Sequence, residues 1–220
     1  MKLYVYIETT DVGFAPNPFH GVCTLACCKP TIRRVCAIDD WIAGLTPKTN
    51  GHKLIYAMRV GKKLSFAEYW NDPAYACKRV NKANAQGRCG DNIYEPLAGG
   101  GWKQHPSLHS QTPFGDVESE ADKKRDLSGK FILVASEFVY HGAAAAALPE
   151  KLIPILAVGR GHRSNFDEDT LRQWKFFMEE QPRGLKGYPV YEPAGCGCTV
   201  ANADSCVKHA KSCTSKIDNK

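Results

Sequence analysis

The sequence predicts a single α+β domain whose strands form a strongly curved or barrel-like mixed sheet with a few helices. Three observations support this prediction. The 220 residues are 43% hydrophobic and 24% charged, which is the balance of a globular chain long enough to bury a core. Segments with the alternation of strands outnumber helical segments. Glycine, proline and asparagine separate these segments, as they do between strands.

Five segments have the apolar alternation or the β-branched and aromatic content of strands: residues 3–9, 32–38, 41–45, 53–60 and 131–140. Ser65 and Glu68 form a capping box that opens a short helix. A second helix is predicted over residues 167–179, because its first turn is acidic and its apolar residues fall on one stripe. That stripe consists of Leu171, Trp174 and Met178 and is expected to face the core.

The long irregular stretch 97–129 is expected to divide, with residues 102–114 packed on the body and 115–126 solvated and mobile. The domain is predicted to span residues 1–193, and residues 194–220 to form a polar, mobile tail. The tail contains four of the ten cysteines: Cys196, Cys198, Cys206 and Cys213. With His209 they supply enough ligands for zinc, but the tail lacks apolar residues to shield a metal, so no metal site is predicted.

Charge and hydropathy exclude several classes. The net charge of +6 favours anionic partners without requiring them. No apolar segment approaches the ~20 residues of a membrane span, and the N-terminus lacks the pattern of a signal peptide. A cytoplasmic protein with reduced cysteines is therefore expected. The motifs of P-loop nucleotide hydrolases, dinucleotide-binding dehydrogenases, zinc proteases and zinc deaminases are absent from the sequence, and no cofactor is inferred.

The first segment with groups suited to ligand binding or catalysis is the loop between residues 11 and 33. X-Pro units favour extended backbone there, and the loop presents aromatic, amide and cationic groups that suit a planar ligand attached to phosphate. The candidate nucleotide-binding residues in it are Phe14, Asn17, Phe19, Lys29 and Arg33. The alternative is a structural loop whose aromatic side chains fill the core and whose cations are solvated.

The second segment is Gly159-Arg160-Gly161-His162-Arg163. Glycine lets the backbone approach an anion, and Arg160 and Arg163 supply planar guanidinium groups for phosphate. Here the alternative is a glycine-rich turn with solvated arginines. His20, His109, His141 and His162 all lie in or beside such loops. The candidate catalytic residues, as general bases or nucleophiles, are Asp11, Cys28, Asp91 and His162.

The sequence resembles the second of the nucleotide-modification-associated domain families over about the whole predicted domain. The motifs that carry the resemblance are Gly13-Phe14-Ala15-Pro16-Asn17-Pro18-Phe19, Thr24-Leu25-Ala26-Cys27-Cys28-Lys29-Pro30, Ile32-Arg33, Asp40-Trp41, Tyr56-Ala57-Met58-Arg59-Val60, Gly90-Asp91-Asn92-Ile93-Tyr94 and the Gly159–Arg163 segment. One departure is Asp39, which stands where the family pattern has glycine before Asp40-Trp41. The resemblance implies a link to hypermodified DNA bases in phages and bacteria, without a defined reaction.

The function expected is recognition or processing of a modified nucleobase or nucleotide in DNA modification, with modified nucleotide or DNA as the partner. An enzyme of this kind would be a base-directed transferase or glycosidase. The alternatives are a non-enzymatic module that binds modified bases or nucleic acid, and a protein-interaction domain without a nucleotide site. If one ligand is shared, the two loops converge on one concave site containing Phe19, Lys29 and Arg160. The oligomeric state is left open.

Overall fold

The computed structural model describes residues 1–190 of the protein. These residues form eleven strands: β1 (Leu3–Ile7), β2 (Cys23–Leu25), β3 (Trp41–Leu45), β4 (Leu54–Arg59), β5 (Lys62–Ser65), β6 (Tyr94–Pro96), β7 (Trp102–Gln104), β8 (Phe131–Ala135), β9 (Glu137–Tyr140), β10 (His162–Arg163) and β11 (Gly184–Leu185). They also form six α-helices: α1 (Pro30–Val35), α2 (Phe66–Asn71), α3 (Ala85–Arg88), α4 (Glu120–Leu127), α5 (Ile153–Leu156) and α6 (Glu168–Glu179). Single turns of 3₁₀ helix cover Lys48–Asn50 and Gly142–Ala144, and a longer one covers Pro73–Lys78. The tail predicted for residues 194–220 lies outside the described residues.

The strands form three separate sheets. The largest has the order β10-β1-β3-β4-β9-β11, with parallel pairing between β1 and β3 and between β9 and β11. A second sheet, β2-β8-β5, is antiparallel throughout. The third is the two-stranded pair β6-β7. The fold is therefore a mixed α/β domain with several sheets and few helices.

The core consists of apolar layers on both faces of the large sheet. Along β1, Leu3 and Val5 face the cluster that contains α6, whereas Tyr4 and Tyr6 face the second sheet. This alternation follows from the two-residue period of a strand. A further apolar cluster covers the other side of the second sheet and includes α2 and β6. Layer stacking buries most residues of β1, β2, β3, β4, β8 and β9.

The prediction of a curved or barrel-like sheet is wrong. No sheet among the described residues is closed or strongly curled, and the large sheet ends in the two-residue strands β10 and β11. The predicted strand 131–140 explains the difference, because it is interrupted at Ser136. Its first half, β8, belongs to the second sheet, and its second half, β9, belongs to the large sheet. The chain thus passes from one layer to the next instead of bending one sheet around a core.

Other predicted elements are confirmed. The strands predicted at 3–9, 41–45 and 53–60 are β1, β3 and β4. The capping box at Ser65 and Glu68 opens α2 with both of its reciprocal hydrogen bonds. Asp167 caps α6 by accepting from the Thr170 amide at 2.8 Å, and Trp174 and Met178 are buried as expected.

Two segments differ from the prediction. Residues 32–38 were expected to be a strand, but α1 occupies most of this segment because Pro30 presets its first turn and Ile32 and Cys36 share a buried face. Residues 115–126 were expected to be solvated and mobile. They are largely exposed or half-buried, but most of them belong to α4, which Ser119 caps and in which Asp126 is completely buried.

Truncation of Trp174 tests the packing of α6. Trp174→Ala removes a fully buried indole and is expected to lower the free energy of unfolding by about 3–5 kcal/mol in urea denaturation. Phe176→Ala, on the same helix but 64% exposed, is the control and should change it by less than about 0.5 kcal/mol. Equal effects of the two changes would contradict the packing of α6.

Candidate functional site

The turn between β2 and α1 carries two consecutive residues, Cys28 and Lys29, whose side chains take part in different sites. Cys28 and Lys29 both have left-handed backbone, with φ of 58° and 40°. The Cys28 amide donates to Asp126 Oδ1 at 2.6 Å, and its carbonyl accepts from Arg33 Nε at 2.8 Å. Pro30 follows at the start of α1. Hydrogen bonds to both the amide and the carbonyl of Cys28 therefore stabilise this uncommon backbone conformation.

Cys28, His109 and Asp126 form a chain of polar contacts that we call the Cys28 cluster. Cys28 Sγ lies 3.6 Å from His109 Nε2, and His109 Nδ1 lies 2.8 Å from Asp126 Oδ2. Cys28 is partly exposed, the His109 side chain is 13% exposed, and Asp126 is completely buried. The order sulfur, imidazole, carboxylate is that of a nucleophile, a base and the group that orients the base.

Further contacts hold the Asp126 carboxylate in its charged form. Its Oδ2 accepts from the Tyr94 hydroxyl at 2.9 Å, and the Arg33 guanidinium lies 4.0 Å from Oδ1. Burial alone would raise the pKa of Asp126, but the hydrogen bond from His109, the Cys28 amide and the charge of Arg33 together hold it below its usual range. The carboxylate therefore stays negative beside the imidazole.

The same contacts favour a protonated imidazole. Burial by itself lowers the pKa of His109, but hydrogen bonding to Asp126 and to Cys28 outweighs burial and raises the pKa to about 10. At neutral pH His109 thus carries a proton on each ring nitrogen, one directed at Asp126 and one at Cys28 Sγ. The Cys28 sulfur therefore lies beside a cationic ring whose orientation Asp126 fixes.

A concave pocket of about 420 Å³ has Lys29 of the β2–α1 turn in its lining. It is lined by Ile7, Thr9, Lys29, Pro30, Thr31, Ile32, Gly159, Arg160, Gly161 and His162. Gly161 has a φ of 88°, a conformation that favours glycine, and a Cβ there would meet no atom within 4 Å. The pocket combines two cations, two hydroxyl groups and open backbone, which suits an oxyanion.

Glu8 lies beside the cationic side of this pocket. Its carboxyl group is 7% exposed, and burial raises its pKa to about 7, against the opposing effect of the Lys29 ammonium. The Lys29 ammonium also lies 3.9 Å from the centre of the Tyr6 ring. The charge of Glu8 therefore changes near neutral pH next to a pocket cation.

Asn17 is buried and forms part of the framework. Its amide group donates to the Cys89 carbonyl at 2.7 Å, and its Oδ1 accepts from Lys78 Nζ at 2.8 Å. Lys78 is completely buried, and its ammonium also donates to the Val22 carbonyl at 2.8 Å. Burial lowers the pKa of Lys78, and the nearby charge of Asp91 opposes this effect. In this structure Asn17 solvates a buried cation and does not face the pocket.

The two aspartates considered as general bases are also buried. Asp91 accepts from the hydroxyls of Thr24 at 2.6 Å and Tyr69 at 2.7 Å. Asp11 accepts from the Tyr140 hydroxyl at 2.5 Å. Burial raises the pKa of both carboxyl groups. Their partners tie strands and loops together, and neither carboxyl lines the pocket.

Most of the remaining predicted binding residues also lie outside the pocket. Phe14 and Phe19 are buried, and the Phe14 ring packs 4.5 Å from the His109 ring. Arg33 is completely buried and donates to the carbonyls of Cys28, Asp126 and Phe131, so its guanidinium does not reach the pocket. Arg163 donates to the Ile155 carbonyl at 2.7 Å and lines a different cavity. Among the predicted residues, the pocket brings together Lys29, Arg160 and His162.

Sequence reasoning did not assign a role to His109 or to Asp126. Both lie in the stretch 97–129, far in sequence from Cys28, and neither belongs to a spacing that indicates a site. The proximity of His109 to motif loops was the one available signal.

Ligand atoms of Cys27, His109 and Asp126 lie within 4.8 Å of one another, a spacing that could hold a metal ion. Burial raises the pKa of Cys27 well above its usual range, which disfavours the thiolate that a metal needs. Arg33 already supplies a positive charge next to Asp126. We therefore assign no metal site there.

Comparison with known proteins gives one match. A family model described as nucleotide modification associated domain 2 matches residues 1–194. The chain belongs to this family. No curated protein and no solved structure gives a significant match to the chain.

The cations that line the pocket of this nucleotide modification associated domain come from two motifs that are distant in sequence. Lys29 follows the Thr24–Cys28 segment, and Arg160 belongs with His162 to the Gly159–Arg163 segment, which we call the glycine-arginine loop. Among the described residues, the helices are all too short or too polar to cross a membrane. The match names a process and leaves the reaction to be inferred from the site.

Removal of the Asn17 side chain tests its structural role. Asn17→Ala leaves the buried Lys78 ammonium without one of its acceptors and is expected to lower the free energy of unfolding by about 3–5 kcal/mol in urea. Asn71→Ala, at the exposed end of α2, is the matched control and should have an effect below about 0.5 kcal/mol. Near-neutral stability of Asn17→Ala would show that water or another group replaces the amide.

Proposed function

We propose that this protein binds a nucleotide, free or within DNA, in the pocket between α1 and the glycine-arginine loop, and that it processes the nucleobase in DNA modification. The observation that carries the proposal is the convergence of Lys29 and Arg160 on one cavity. Membership of the nucleotide modification associated domain 2 family supports the ligand class.

The chemistry of the pocket suits the phosphate of a nucleotide. Lys29 offers a point charge, and the exposed Arg160 offers a planar pair of donors. The volume of about 420 Å³ is in the range of small-molecule sites. Ile7, Pro30 and Ile32 add an apolar wall against which a sugar or base can pack. A single mononucleotide unit is thus the natural occupant.

The competing interpretations make different demands. A protein-interaction domain without a nucleotide site needs no convergence of the two loops, so it does not account for the shared pocket. A non-enzymatic binding module needs the pocket alone. Processing needs a reactive group as well, and the Cys28 cluster begins one residue before Lys29. The enzymatic interpretation uses both features.

Arg160 tests the proposed binding. Arg160→Ala is expected to weaken binding of a thymidine dinucleotide or a short single-stranded DNA about tenfold, because a charge-assisted hydrogen bond to phosphate contributes ~1.5–3 kcal/mol. The logarithmic salt slope for the single strand should become shallower by about one unit. Isothermal titration calorimetry and fluorescence anisotropy at several salt concentrations measure these changes.

The control for charge alone is Arg172→Ala, which removes an exposed arginine on α6. It should leave affinity and salt slope close to those of the unmodified protein. Equal losses in Arg160→Ala and Arg172→Ala, or no binding of either probe at low salt, would reject the pocket as the nucleotide site. Binding of the single strand without binding of the dinucleotide would instead place the main contacts outside the pocket.

The pKa of Glu8 predicts a pH dependence of binding. Below about pH 7 the Glu8 carboxyl is neutral and leaves the Lys29 charge uncompensated, whereas above it the carboxylate competes with phosphate for Lys29. Affinity for the dinucleotide, whose phosphodiester keeps a constant charge, should therefore fall as pH rises from about 6 to about 8.

Glu8→Gln tests this effect directly. At about pH 8 the variant should bind the dinucleotide at least threefold more tightly than the unmodified protein, a difference of ~0.7 kcal/mol. At about pH 6 the two proteins should bind equally. Parallel pH curves for the two proteins would show that Glu8 does not influence the bound phosphate.

A further inference from the structure

The Cys28 cluster has a chemical capacity that nucleotide binding does not use. We propose that Cys28, His109 and Asp126 form a catalytic triad in which Cys28 Sγ is the nucleophile of an acyl transfer. The substrate is a carboxamide or carboxylate ester carried by the bound nucleotide, and this part of the inference rests on the proposed function. The triad itself is independent of it.

The geometry separates Cys28 from the other described cysteines. Cys23, Cys27, Cys36 and Cys89 are buried, whereas Cys28 is partly exposed and has an imidazole nitrogen 3.6 Å from its sulfur. Cys77 is exposed to a similar degree, but its sulfur donates to the Ala74 carbonyl at 3.7 Å. The environment of Cys28 is thus that of a reactive thiol rather than of a packed one.

Asp126 fixes the orientation of the imidazole. Its Oδ2 holds His109 Nδ1 at 2.8 Å, which directs Nε2 toward the sulfur. Its Oδ1 holds the Cys28 amide at 2.6 Å, so one carboxylate positions both the base and the nucleophile. The Phe14 ring packs against the imidazole and limits its rotation. Such rigid support is what a nucleophile and base pair requires.

The proposed reaction uses Cys28 Sγ as a thiolate beside protonated His109, in the order that their contacts set. The Cys28 thiolate attacks the carbonyl carbon and forms a C–S bond, and the C–N or C–O bond to the leaving group breaks. The Nε2 proton of His109 passes to the departing nitrogen or oxygen, which leaves as a neutral amine or alcohol. Neutral His109 then takes a proton from water or an acceptor amine as that molecule attacks the thioester. The C–S bond breaks, and the thiolate and imidazolium are restored.

Acyl transfer fits this arrangement better than direct addition of the Cys28 sulfur to a nucleobase. A triad places an acid beside the nucleophile, and an amine leaving group needs that acid. The Cys28 amide is already bonded to Asp126, so the donors for the developing oxyanion must come from other groups. Lys29 follows Cys28 directly and lines the pocket, which connects the phosphate position to the sulfur along the chain.

The first experiment measures thiol reactivity in the full-length protein. Iodoacetamide is added at neutral pH, and mass spectrometry follows modification of each cysteine with time. Cys28 is expected to react at least about tenfold faster than Cys77. His109→Asn should remove this advantage and leave the rate at Cys77 unchanged, because it deletes the imidazolium while retaining an amide of similar reach to Asp126.

The second experiment tests acylation with 4-nitrophenyl acetate. The unmodified protein should release a burst of one equivalent of 4-nitrophenolate and carry an acetyl group on Cys28. Cys28→Ala and His109→Asn should lose the burst, whereas Cys77→Ala should retain it. Thermal melting of each variant checks that the fold is intact, and Cys28→Ser provides a second variant if the alanine does not fold.

These results separate the triad from the proposed function. The acetyl burst should occur whether or not the dinucleotide binds, because 4-nitrophenyl acetate contains no phosphate. Failure of dinucleotide binding with the burst intact would therefore reject the proposed function and not the triad. Equal alkylation of Cys28 and Cys77, or acetylation without dependence on His109, would overturn the triad. So would a stoichiometric metal ion that protects Cys27 and Cys28 until a chelator removes it.

Discussion

The buried carboxylate of Asp126 connects more of this molecule than any other side chain described above. It accepts hydrogen bonds from the Cys28 amide, the His109 ring and the Tyr94 hydroxyl, and it lies beside the Arg33 guanidinium. Cys28 lies in the β2–α1 turn and His109 in the loop that follows β7. Tyr94 belongs to β6 and Arg33 to α1. An ionised carboxylate without partners would be costly in the interior. The site therefore forms only when these segments meet around one charge.

Arg33 shows how the same charge organises the backbone. Its three carbonyl contacts and the approach of Gly129, where a Cβ would lie 2.5 Å from the guanidinium, leave no room for a ligand. Lys78 stabilises the loop between residues 11 and 33 in a similar way, by donating hydrogen bonds to Asn17 and Val22. The two buried cations hold the loop from opposite ends. The cations that line the pocket are Lys29, which also interacts with Glu8, and the exposed Arg160.

The sequence predicts much of the fold because local patterns decide it. Strands β3 and β4 are short runs of mainly apolar residues, α2 has a capping box, and α6 has an acidic start and an apolar stripe. The layered arrangement is not predictable in this way, since the sheet to which each half of residues 131–140 belongs depends on distant partners. Asp39 is instructive: it takes a φ of 69°, the left-handed conformation that glycine adopts readily, so the residue departs from the family pattern while the backbone has a glycine-like conformation.

The candidate site was predictable only in part, for a chemical reason. Arginine, lysine and asparagine bind phosphate, but they also satisfy buried carbonyl groups, and residue type alone cannot distinguish Arg33 from Arg160. Loop position was informative for Lys29, Arg160 and His162, which line one pocket. The sequence did not pair His109 and Asp126 with Cys28, because Asp126 lies in α4. The charge run 116–126 predicted a solvated segment there and no helix.

The Cys28–Lys29 turn is where the structural and chemical requirements coincide. Two consecutive left-handed non-glycine residues cost ~1–3 kcal/mol each, and this cost needs compensation. The Cys28 amide and carbonyl obtain it from Asp126 and Arg33, and Pro30 fixes the chain that follows. The result is a turn in which Cys28 contacts His109 while Lys29, the next residue, lines the pocket. A relaxed turn or a continuous helix through these positions would change the directions of both side chains, so the strained backbone is what brings Cys28 to His109 and Lys29 to the pocket.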